Sequence, residues 1–361
     1  MVKLSLSFVF LALSSYAYAA GTTCTFKTVA QVNAGKAKCD KIVLDNIVVP
    51  AKTTLDLTGL RAGTQVVFSG KTTFGFAPWS KDNFLIAIDG TRITVTETPG
   101  SVIDCGGERW WDGKGSNGGT EKPKFFSAHK LTDSHIGPLH IKNTPIQAFS
   151  INGVNGLTLD GINMDNSLGD VKGGHNTDAF DIGSSTGVFI TNAVVKNQDD
   201  CLAVNSGKNI LFSNGDCSGG HGLSIGSVGG RSDNTVDGVR IEHSRISNSD
   251  NGVRIKSVEG AKGLINNVTY TDITLSNIAK YGIDIQQDYQ NGGPSGTPTN
   301  GVKITNININ NVKGSVASKA TPIYLLCGEG SCTNWKWSGN SISGGVPKPN
   351  SCKNFPKPAS C

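Results

Sequence analysis

The sequence predicts an all-β solenoid: one coil of parallel strands with about ten rungs, closed at its N-terminal end by a short helix. Short alternating strands recur along the chain, and Asn or Gly follows most of them. Five apolar residues stand at the same place in matching runs, at spacings of 22, 21, 30 and 30 residues: Ile182, Val204, Ile225, Ile255 and Ile285. A repeat of this length with one or two strands per unit is typical of rungs that share a core.

The N-terminus resembles a secretory signal over residues 1–19. Lys3 precedes an apolar run over residues 4–13, and the small-residue site Ala17-Tyr18-Ala19 follows it. The run is too short to span a bilayer, which takes about 20 apolar residues. We therefore expect a secreted, extracellular protein, free of the membrane once the signal is removed, with one solenoid domain over residues 20–361.

The first element after the signal is the predicted capping helix. Apolar groups recur at helical spacing over residues 26–33, whose sequence is FKTVAQVN. Because the open end of a coil exposes unpaired strand edges, a helix here would cover the first rung.

Nine cysteines in a secreted chain indicate disulfides. Their spacing suggests four pairs: Cys24–Cys39, Cys201–Cys217, Cys327–Cys332 and Cys352–Cys361. Cys105 is then left over, and we expect a small buried thiol there. Sequence alone does not select among the 105 pairings open to eight cysteines.

The corners between the predicted strands are rich in Asn and Gly, which adopt left-handed backbone conformations at low cost. One corner, Asn267-Val268-Thr269, is an N-glycosylation acceptor. The 46 Gly and only 2 Met of the chain also favour an extracellular all-β protein. The net charge of +5 agrees with a polyanionic partner. The sequence contains no nucleic-acid-binding motif, so we do not expect nucleic acid as a partner.

Polar residues stand at one position of successive units, four residues before the apolar column. They are Asp178, Asp200, His221, Asn251 and Tyr281, with Asp199 next to Asp200. Because neighbouring parallel strands lie about 4.8 Å apart, these side chains become spatial neighbours. Taken singly, Asp and Asn are common turn formers. Several carboxylates and a His in one register point instead to a site.

Clustered carboxylates suit glycoside hydrolysis, which needs one protonated carboxyl as acid and one ionised carboxylate to activate water. Crowding disfavours ionising all of them, so one keeps its proton to higher pH. His221 would tune that proton. Arg254 and Lys256 flank Ile255, so both are expected to face outward into the groove and bind the carboxylate of an acidic sugar.

Four motifs carry a family resemblance: Asn176-Thr177-Asp178, Gln198-Asp199-Asp200, Gly220-His221-Gly222 and Arg254-Ile255-Lys256. In this order and spacing they resemble the signature motifs of the polygalacturonases, the pectin-cleaving glycoside hydrolases of family 28. The resemblance covers essentially the whole mature chain. It implies a right-handed parallel β-helix and inverting hydrolysis of α-1,4 bonds between galacturonic acid units, with no cofactor or metal and with polygalacturonate as partner of a monomer.

The resemblance also implies a role for each matching residue. Asp199 would be the general acid, Asp178 and Asp200 would hold and activate water, and His221 would support the protonation of Asp199. Arg254, Lys256, Tyr289 and Asn176 would contact the substrate.

Four alternatives stay open at this point. A calcium-dependent pectate lyase would use the same kind of fold and polymer, and a pectin-binding protein would keep the groove without turnover. Related hydrolases act on rhamnogalacturonan or xylogalacturonan. Exo action would need one blocked end of the groove, whereas the units between Thr177 and Gln290 contain no large insertion, which favours endo action.

Overall fold

The chain folds into one coil of parallel strands, as a computed structural model describes it for residues 21–291 and 294–361. Every pairing between the described strands is parallel. The predicted all-β parallel β-helix is therefore confirmed. The signal expected over residues 1–19 lies outside the described residues. No described helix is long and apolar enough to cross a membrane.

The strands of the first half of the coil, in chain order, are β1 (Thr23–Phe26), β2 (Lys41–Asp45), β3 (Val48–Val49), β4 (Leu55–Leu57), β5 (Gln65–Ser69), β6 (Lys71–Phe74), β7 (Phe84–Thr91), β8 (Thr94–Glu97), β9 (Val102–Asp104), β10 (Lys124–Ile136), β11 (Leu139–Lys142), β12 (Phe149–Asn152), β13 (Asn155–Asp160), β14 (Ile162–Asp165) and β15 (Phe180–Gly183). Those of the second half are β16 (Ser185–Thr191), β17 (Val194–Lys196), β18 (Leu202–Val204), β19 (Gly207–Ser213), β20 (Asp216–Ser218), β21 (Leu223–Val228), β22 (Thr235–Ser247), β23 (Asn251–Val258), β24 (Gly263–Ile278), β25 (Tyr281–Tyr289), β26 (Val302–Val316), β27 (Thr321–Leu326), β28 (Cys332–Thr333), β29 (Lys336–Ser338) and β30 (Ser341–Ser343). The helices are α1 (Val29–Gly35) and α2 (Gly169–Lys172), with 3-10 turns at Lys36–Lys38, Gly107–Arg109, Gly115–Asn117 and Pro349–Ser351.

The parallel pairings arrange these strands into three ladders along the coil. The ladder that concerns function runs through β4, β7, β10, β12, β15, β18, β21, β23, β25 and β27. Its ten described strands agree with the predicted number of rungs. The long strands β22, β24 and β26 each pair in both other ladders, because they continue through the corner between them.

The core is built from the apolar column that the repeat predicted. Ile182, Val204, Ile225, Ile255 and Ile285 pair in register from strand to strand. Each is fully buried. Burying one such side chain stabilises the fold by roughly 1.5–3 kcal/mol, and the rung-by-rung repetition makes this column a continuous source of stability.

The corners have the backbone conformation that the Asn and Gly pattern predicted. Asn192, Asn214, Asn248 and Asn277 have φ values of 55°, 55°, 49° and 54°. Asn267 also lies at such a corner, with φ 54° and an exposed side chain. Asn tolerates this left-handed region because its short polar side chain bonds locally.

The N-terminal helix begins three residues further along the chain than the periodicity of residues 26–33 predicted. Phe26 ends strand β1, and the helix begins at Val29. The physical reason is a capping box: Gln31 N–H donates to Thr28 Oγ1, and Thr28 N–H donates to Gln31 Oε1. The buried side chains of Val29 and Val32 then pack on the core at the first rung.

The structure joins Cys24–Cys39, Cys201–Cys217, Cys327–Cys332 and Cys352–Cys361, the four pairs that the spacing suggested. Cys105 has no disulfide partner and is buried. Burial raises the pKa of its thiol well above the usual value, so it stays protonated and unreactive.

Candidate active site

The outward side chains of β15, β18, β21, β23 and β25 line a groove of about 810 Å³. Strand alternation decides which residues reach it: Ile255 points into the core, while Arg254 and Lys256 line the groove. The structure places Asp178, Asp199, Asp200 and His221 in the same groove. The residues that the sequence predicted are therefore brought together.

The turns that carry the acids are tied together by their backbones. Ala179 N–H donates to the carbonyl of Asp200 at 2.9 Å, and His221 N–H donates to that of Asp199 at 2.8 Å. The buried amide of Asn197 donates to the carbonyls of Thr177, Asp199 and Asp200. Asn197 was missed from the sequence because an Asn in a turn has no distinguishing signal. It fixes the spacing of two neighbouring rungs.

Asp199 has three close polar contacts. His221 Nδ1 lies 2.9 Å from its Oδ1, Asn176 Nδ2 donates to its Oδ2 at 2.9 Å, and Asp200 N–H donates to its Oδ1 at 2.7 Å. Burial alone would raise the pKa of Asp199, but the hydrogen bond and charge of His221 outweigh it and hold that pKa below the usual range. Asp199 in turn raises the pKa of His221 against the effect of burial. The ionised carboxylate of Asp199 and the protonated imidazole of His221 therefore favour each other as an ion pair.

Asp200 has a different set of partners. Ser224 Oγ donates to its Oδ1 and Lys256 Nζ to its Oδ2, both at 2.7 Å. Both carboxylate oxygens are thus bound, and the negative charge of Asp200 is paired with a buried cation. Lys256 lines the groove as predicted, and it also contacts the carboxylate of Asp200 directly, which its sequence position did not reveal.

Of the three acids that the sequence predicted, Asp178 alone makes no side-chain hydrogen bond or ion pair with a described residue. Its Oδ1 has no hydrogen-bond partner among the described residues. Burial, followed by the charges of Asp199, Asp181 and Asp200, raises its pKa well above the usual value. Asp178 therefore keeps its proton to higher pH than an ordinary carboxyl group does.

Asp181 was not singled out from the sequence. It faces the groove from β15, and burial together with Asp200 and Asp199 raises its pKa to about 7. The alternation in AFDIG, with Ile182 inward, was the signal that would have found it. Four carboxyl groups therefore share this part of the groove.

Arg254 and Tyr289 form the other side of the site. The guanidinium carbon of Arg254 lies 5.6 Å from the ring centroid of Tyr289, and Lys256 Nζ lies 5.2 Å from it. These distances allow cation–π attraction to both side chains. The Arg254 side chain is 10% exposed, and its Nε lies 3.3 Å from Asp284 Oδ2. The two cations are thus built into the groove and are not a solvated surface pair.

The amide of Asn176 is oriented by a distant segment. Its Oδ1 accepts hydrogen bonds from Ser116 N–H at 3.0 Å, Ser116 Oγ at 3.2 Å and Asn117 Nδ2 at 3.2 Å. Three donors on the oxygen leave the NH₂ group to face Asp199. Ser116 and Asn117 belong to the segment between Asp112 and Lys122. An ion pair joins the two ends of this segment, because the buried ammonium of Lys122 lies 2.8 Å from Asp112 Oδ1.

His221 is positioned from its second nitrogen as well. Its Nε2 lies 3.4 Å from Asp250 Oδ2, and Lys280 Nζ lies 2.7 Å from the same oxygen. Asp250 stabilises the charged imidazole, since it is one of the groups that raise the pKa of His221. Asp250 directly precedes strand β23 and, like Asn197, had no signal in the sequence.

Three ligand atoms of Asp199, Asp200 and His221 lie within 4.8 Å of one another, a spacing that a metal ion would accept. The oxygens of Asp200 are already bound to Ser224 and to the ammonium of Lys256, which opposes a second cation. The donor set therefore fits acid–base work better than metal binding.

Comparison with known proteins agrees with the fold and the motifs. Residues 39–361 match the family model described as glycosyl hydrolases family 28. A polygalacturonase of Cochliobolus carbonum is 60% identical over 338 residues, 94% of this chain and 92% of that protein. Endopolygalacturonase 1 of Colletotrichum lindemuthianum is 59% identical over 356 residues, 97% of each chain. The solved structure of endopolygalacturonase I from Stereum purpureum, complexed with two galacturonates, superimposes with a TM-score of 0.78 at 37% identity, covering 90% of this chain and 95% of that one.

Proposed function

The chain belongs to glycosyl hydrolase family 28, and we propose that it is a secreted endo-polygalacturonase that hydrolyses α-1,4 bonds between galacturonic acid units by inversion. The observation that carries this is the groove itself: Asp199 bound to His221, beside Asp178 and Asp200, with Arg254 and Lys256 facing the same space. Relatives about 60% identical that are named polygalacturonase and endopolygalacturonase support the substrate and the endo action.

Asp199 is the general acid in this proposal. The proton it gives to the glycosidic oxygen is the one it shares with His221 Nδ1 at 2.9 Å. In the groove without substrate this proton lies on His221, because the raised pKa of the imidazole and the lowered pKa of Asp199 favour the ion pair. As the bond to the leaving oxygen breaks, the proton passes through Asp199 and His221 becomes neutral.

Asp200 and Asp178 handle the water on the other side of the sugar. The charge of Asp200 is paired with Lys256. Asp200 accepts a proton from water while the oxygen of that water bonds to the anomeric carbon. Asp178, kept protonated by burial and by its acidic neighbours, holds that water by a hydrogen bond. Attack from the face opposite the leaving oxygen inverts the configuration.

Arg254 and Lys256 bind the galacturonate carboxylates. A buried guanidinium beside an ammonium in one groove attracts a polyanion, and the planar fork of Arg254 matches a carboxylate. Tyr289 lies against both cations and offers its ring to the sugar face. Asn176 lines the groove beside Asp199, to which its amide donates a hydrogen bond, and contacts the substrate there.

The expected setting is extracellular, with polygalacturonate as partner, a monomeric protein and no nucleic acid or membrane. The signal pattern of residues 1–19 and the four disulfides support secretion. The exposed Asn267 corner is the proposed glycan site.

The deciding experiment is product analysis of the purified protein on polygalacturonic acid, with and without a chelator. We expect mixed oligomers with new reducing ends, no ultraviolet absorbance, and no loss in chelator. Monomer alone would mean exo action, and absorbing, chelator-sensitive products would mean a lyase. Binding without turnover would mean a pectin-binding protein. When variants of the groove acids are compared in this assay, the matched control is Asp216→Asn. Asp216 is an exposed acid of strand β20, in another ladder.

A further inference from the structure

A buried carboxylate lies directly beside the substrate cation Arg254. Asp284 pairs in register with Arg254 on the neighbouring strand, and Tyr324 pairs with Asp284 on the next. Asp284 is fully buried. The proposed mechanism does not use this residue, and the alternation of GIDIQ simply places it on the groove side of β25.

The ion pair between these two residues is incomplete. Arg254 Nε lies 3.3 Å from Asp284 Oδ2 without hydrogen-bond geometry, and Asp284 Oδ1 has no partner among the described residues. The second contact of Oδ2 is Gln286 Nε2, which donates to it at 3.2 Å. A buried carboxylate with an unbound oxygen costs several kcal/mol. Stability alone is therefore a poor account of Asp284.

The direction of approach leaves Arg254 available to a ligand. Asp284 contacts the guanidinium of Arg254 at its Nε edge, and Arg254 lines the groove. Tyr289 lies against the guanidinium at 5.6 Å. Because Asp284 approaches the Nε edge, we expect the terminal nitrogens to make the bidentate contact that a carboxylate ligand offers.

We propose that Asp284 sets the affinity of the groove for galacturonate: when ionised it offsets the charge of Arg254, and when protonated it releases that charge to the substrate, so binding tightens as pH falls. This rests on the proposed function, since it takes Arg254 as a carboxylate-binding residue. Asp284 is a positioning residue here, because it acts through Arg254.

The electrostatic surroundings of Asp284 support a change of charge in the working range. Burial raises the pKa of Asp284 to about 6, although the charge and contact of Arg254 lower it. The other facing groups are Lys256 on β23, Asp288 and Tyr281 on its own strand, and Tyr324 on β27. Below about pH 6 the carboxyl is neutral and Arg254 keeps its full charge. Galacturonate stays ionised down to the usual range of carboxylic acids, near pH 4.

The test compares KM for polygalacturonate from pH 4.5 to pH 7.5 in the wild type, Asp284→Asn and the control Asp216→Asn. The amide keeps the shape of Asp284 and removes its charge. We expect the wild-type KM to rise about fivefold across pH 6, whereas Asp284→Asn keeps a low KM throughout with kcat changed less than about twofold. A variant that follows the wild-type profile, or whose KM is raised equally at every pH, overturns the proposal.

Two further measurements keep the outcome decisive. Calorimetric binding of an oligogalacturonate to Asp199→Asn, which keeps Asp284, should weaken about fivefold as pH rises through 6. A flat profile there overturns the proposal even if Asp284→Asn does not fold. Absence of both cleavage and binding by the wild type would instead refute the proposed function, so the two failures are distinguishable.

Discussion

Lys256 Nζ lies 2.7 Å from Asp200 Oδ2, and both side chains are buried. A cation that the sequence predicted for substrate binding is therefore also the counter-ion of Asp200, the carboxylate that we propose activates water. In the proposed mechanism, binding and chemistry share this residue, because one ammonium faces both the groove and Asp200. Removing it leaves a buried carboxylate without its cation, which is costly.

Lys256→Met should therefore lower kcat as well as raise KM. Substrate binding, the role that the sequence predicted for Lys256, would affect mainly KM, whereas the bond to Asp200 predicts a loss in kcat of roughly 10- to 100-fold. Steady-state kinetics on polygalacturonate measure both. Lys208→Met, at an exposed position of strand β19, is the control. A change in KM alone would return Lys256 to substrate binding only.

Asp199→Asn should reduce turnover about 10³-fold with little effect on folding, because the amide is nearly isosteric and supplies no proton. Asp178→Asn tests the competing donor, since the raised pKa of Asp178 also leaves a proton there. An aryl oligogalacturonide with a good leaving group needs no acid. It should restore the activity of Asp199→Asn and not that of Asp178→Asn, and the reverse result would exchange the two roles.

The alkaline limb of the kcat profile should follow the proton shared by Asp199 and His221. Asp199 raises the pKa of His221, so the proton is present below that raised value and is lost as pH rises through it. His221→Gln removes this store, and activity should then fall at lower pH than in the wild type. Rate profiles from pH 3 to pH 9 provide the measurement. Unchanged limbs in the variant would exclude the shared proton.

Lys122→Met should weaken catalysis from a distance. It opens the ion pair with Asp112 that closes the segment carrying Ser116, and the amide of Asn176 loses its fixed orientation toward Asp199. We expect kcat to fall about tenfold with KM little changed. Ser116→Ala is the matched test, since it removes one of the three donors. Lys122 would have only a structural role if the loss of kcat in Lys122→Met is accompanied by a loss of thermal stability and is not reproduced by Ser116→Ala.

The same pair predicts a loss of stability in acid. The hydrogen bonds and charge of Lys122 and the backbone donors of Thr120 and Lys114 outweigh burial and lower the pKa of Asp112 to about 2. A lowered carboxylate pKa contributes stability above its unfolded value, near 3.8, and loses it as pH falls toward 2. Thermal melts at pH 5 and pH 2.5 should therefore differ less in Asp112→Asn than in the wild type.

The coil, its register and the clustering of the acids in one groove could be predicted from the sequence. Ile182, Val204 and Ile225 repeat at one rung's spacing, and a period of two within each strand then decides which side chains leave the core. This register predicts that Asp178, Asp200 and His221 lie together, whereas the four motifs were recognised by their resemblance to a family. The start of α1 was wrong because a capping interaction between Thr28 and Gln31 overrode the helical period.

The hydrogen-bond and ion-pair partners of these groups could not be predicted from the sequence. Ser116 lies 60 residues from Asn176 in sequence, yet it fixes the amide that faces Asp199. The pairing of Lys256 with Asp200, and the approach of Asp284 to the Nε edge of Arg254, depend on side-chain directions across rungs. A repeat specifies which residues share a face. Hydrogen-bond partners and protonation states follow from distances and burial, which exist only after the coil has closed.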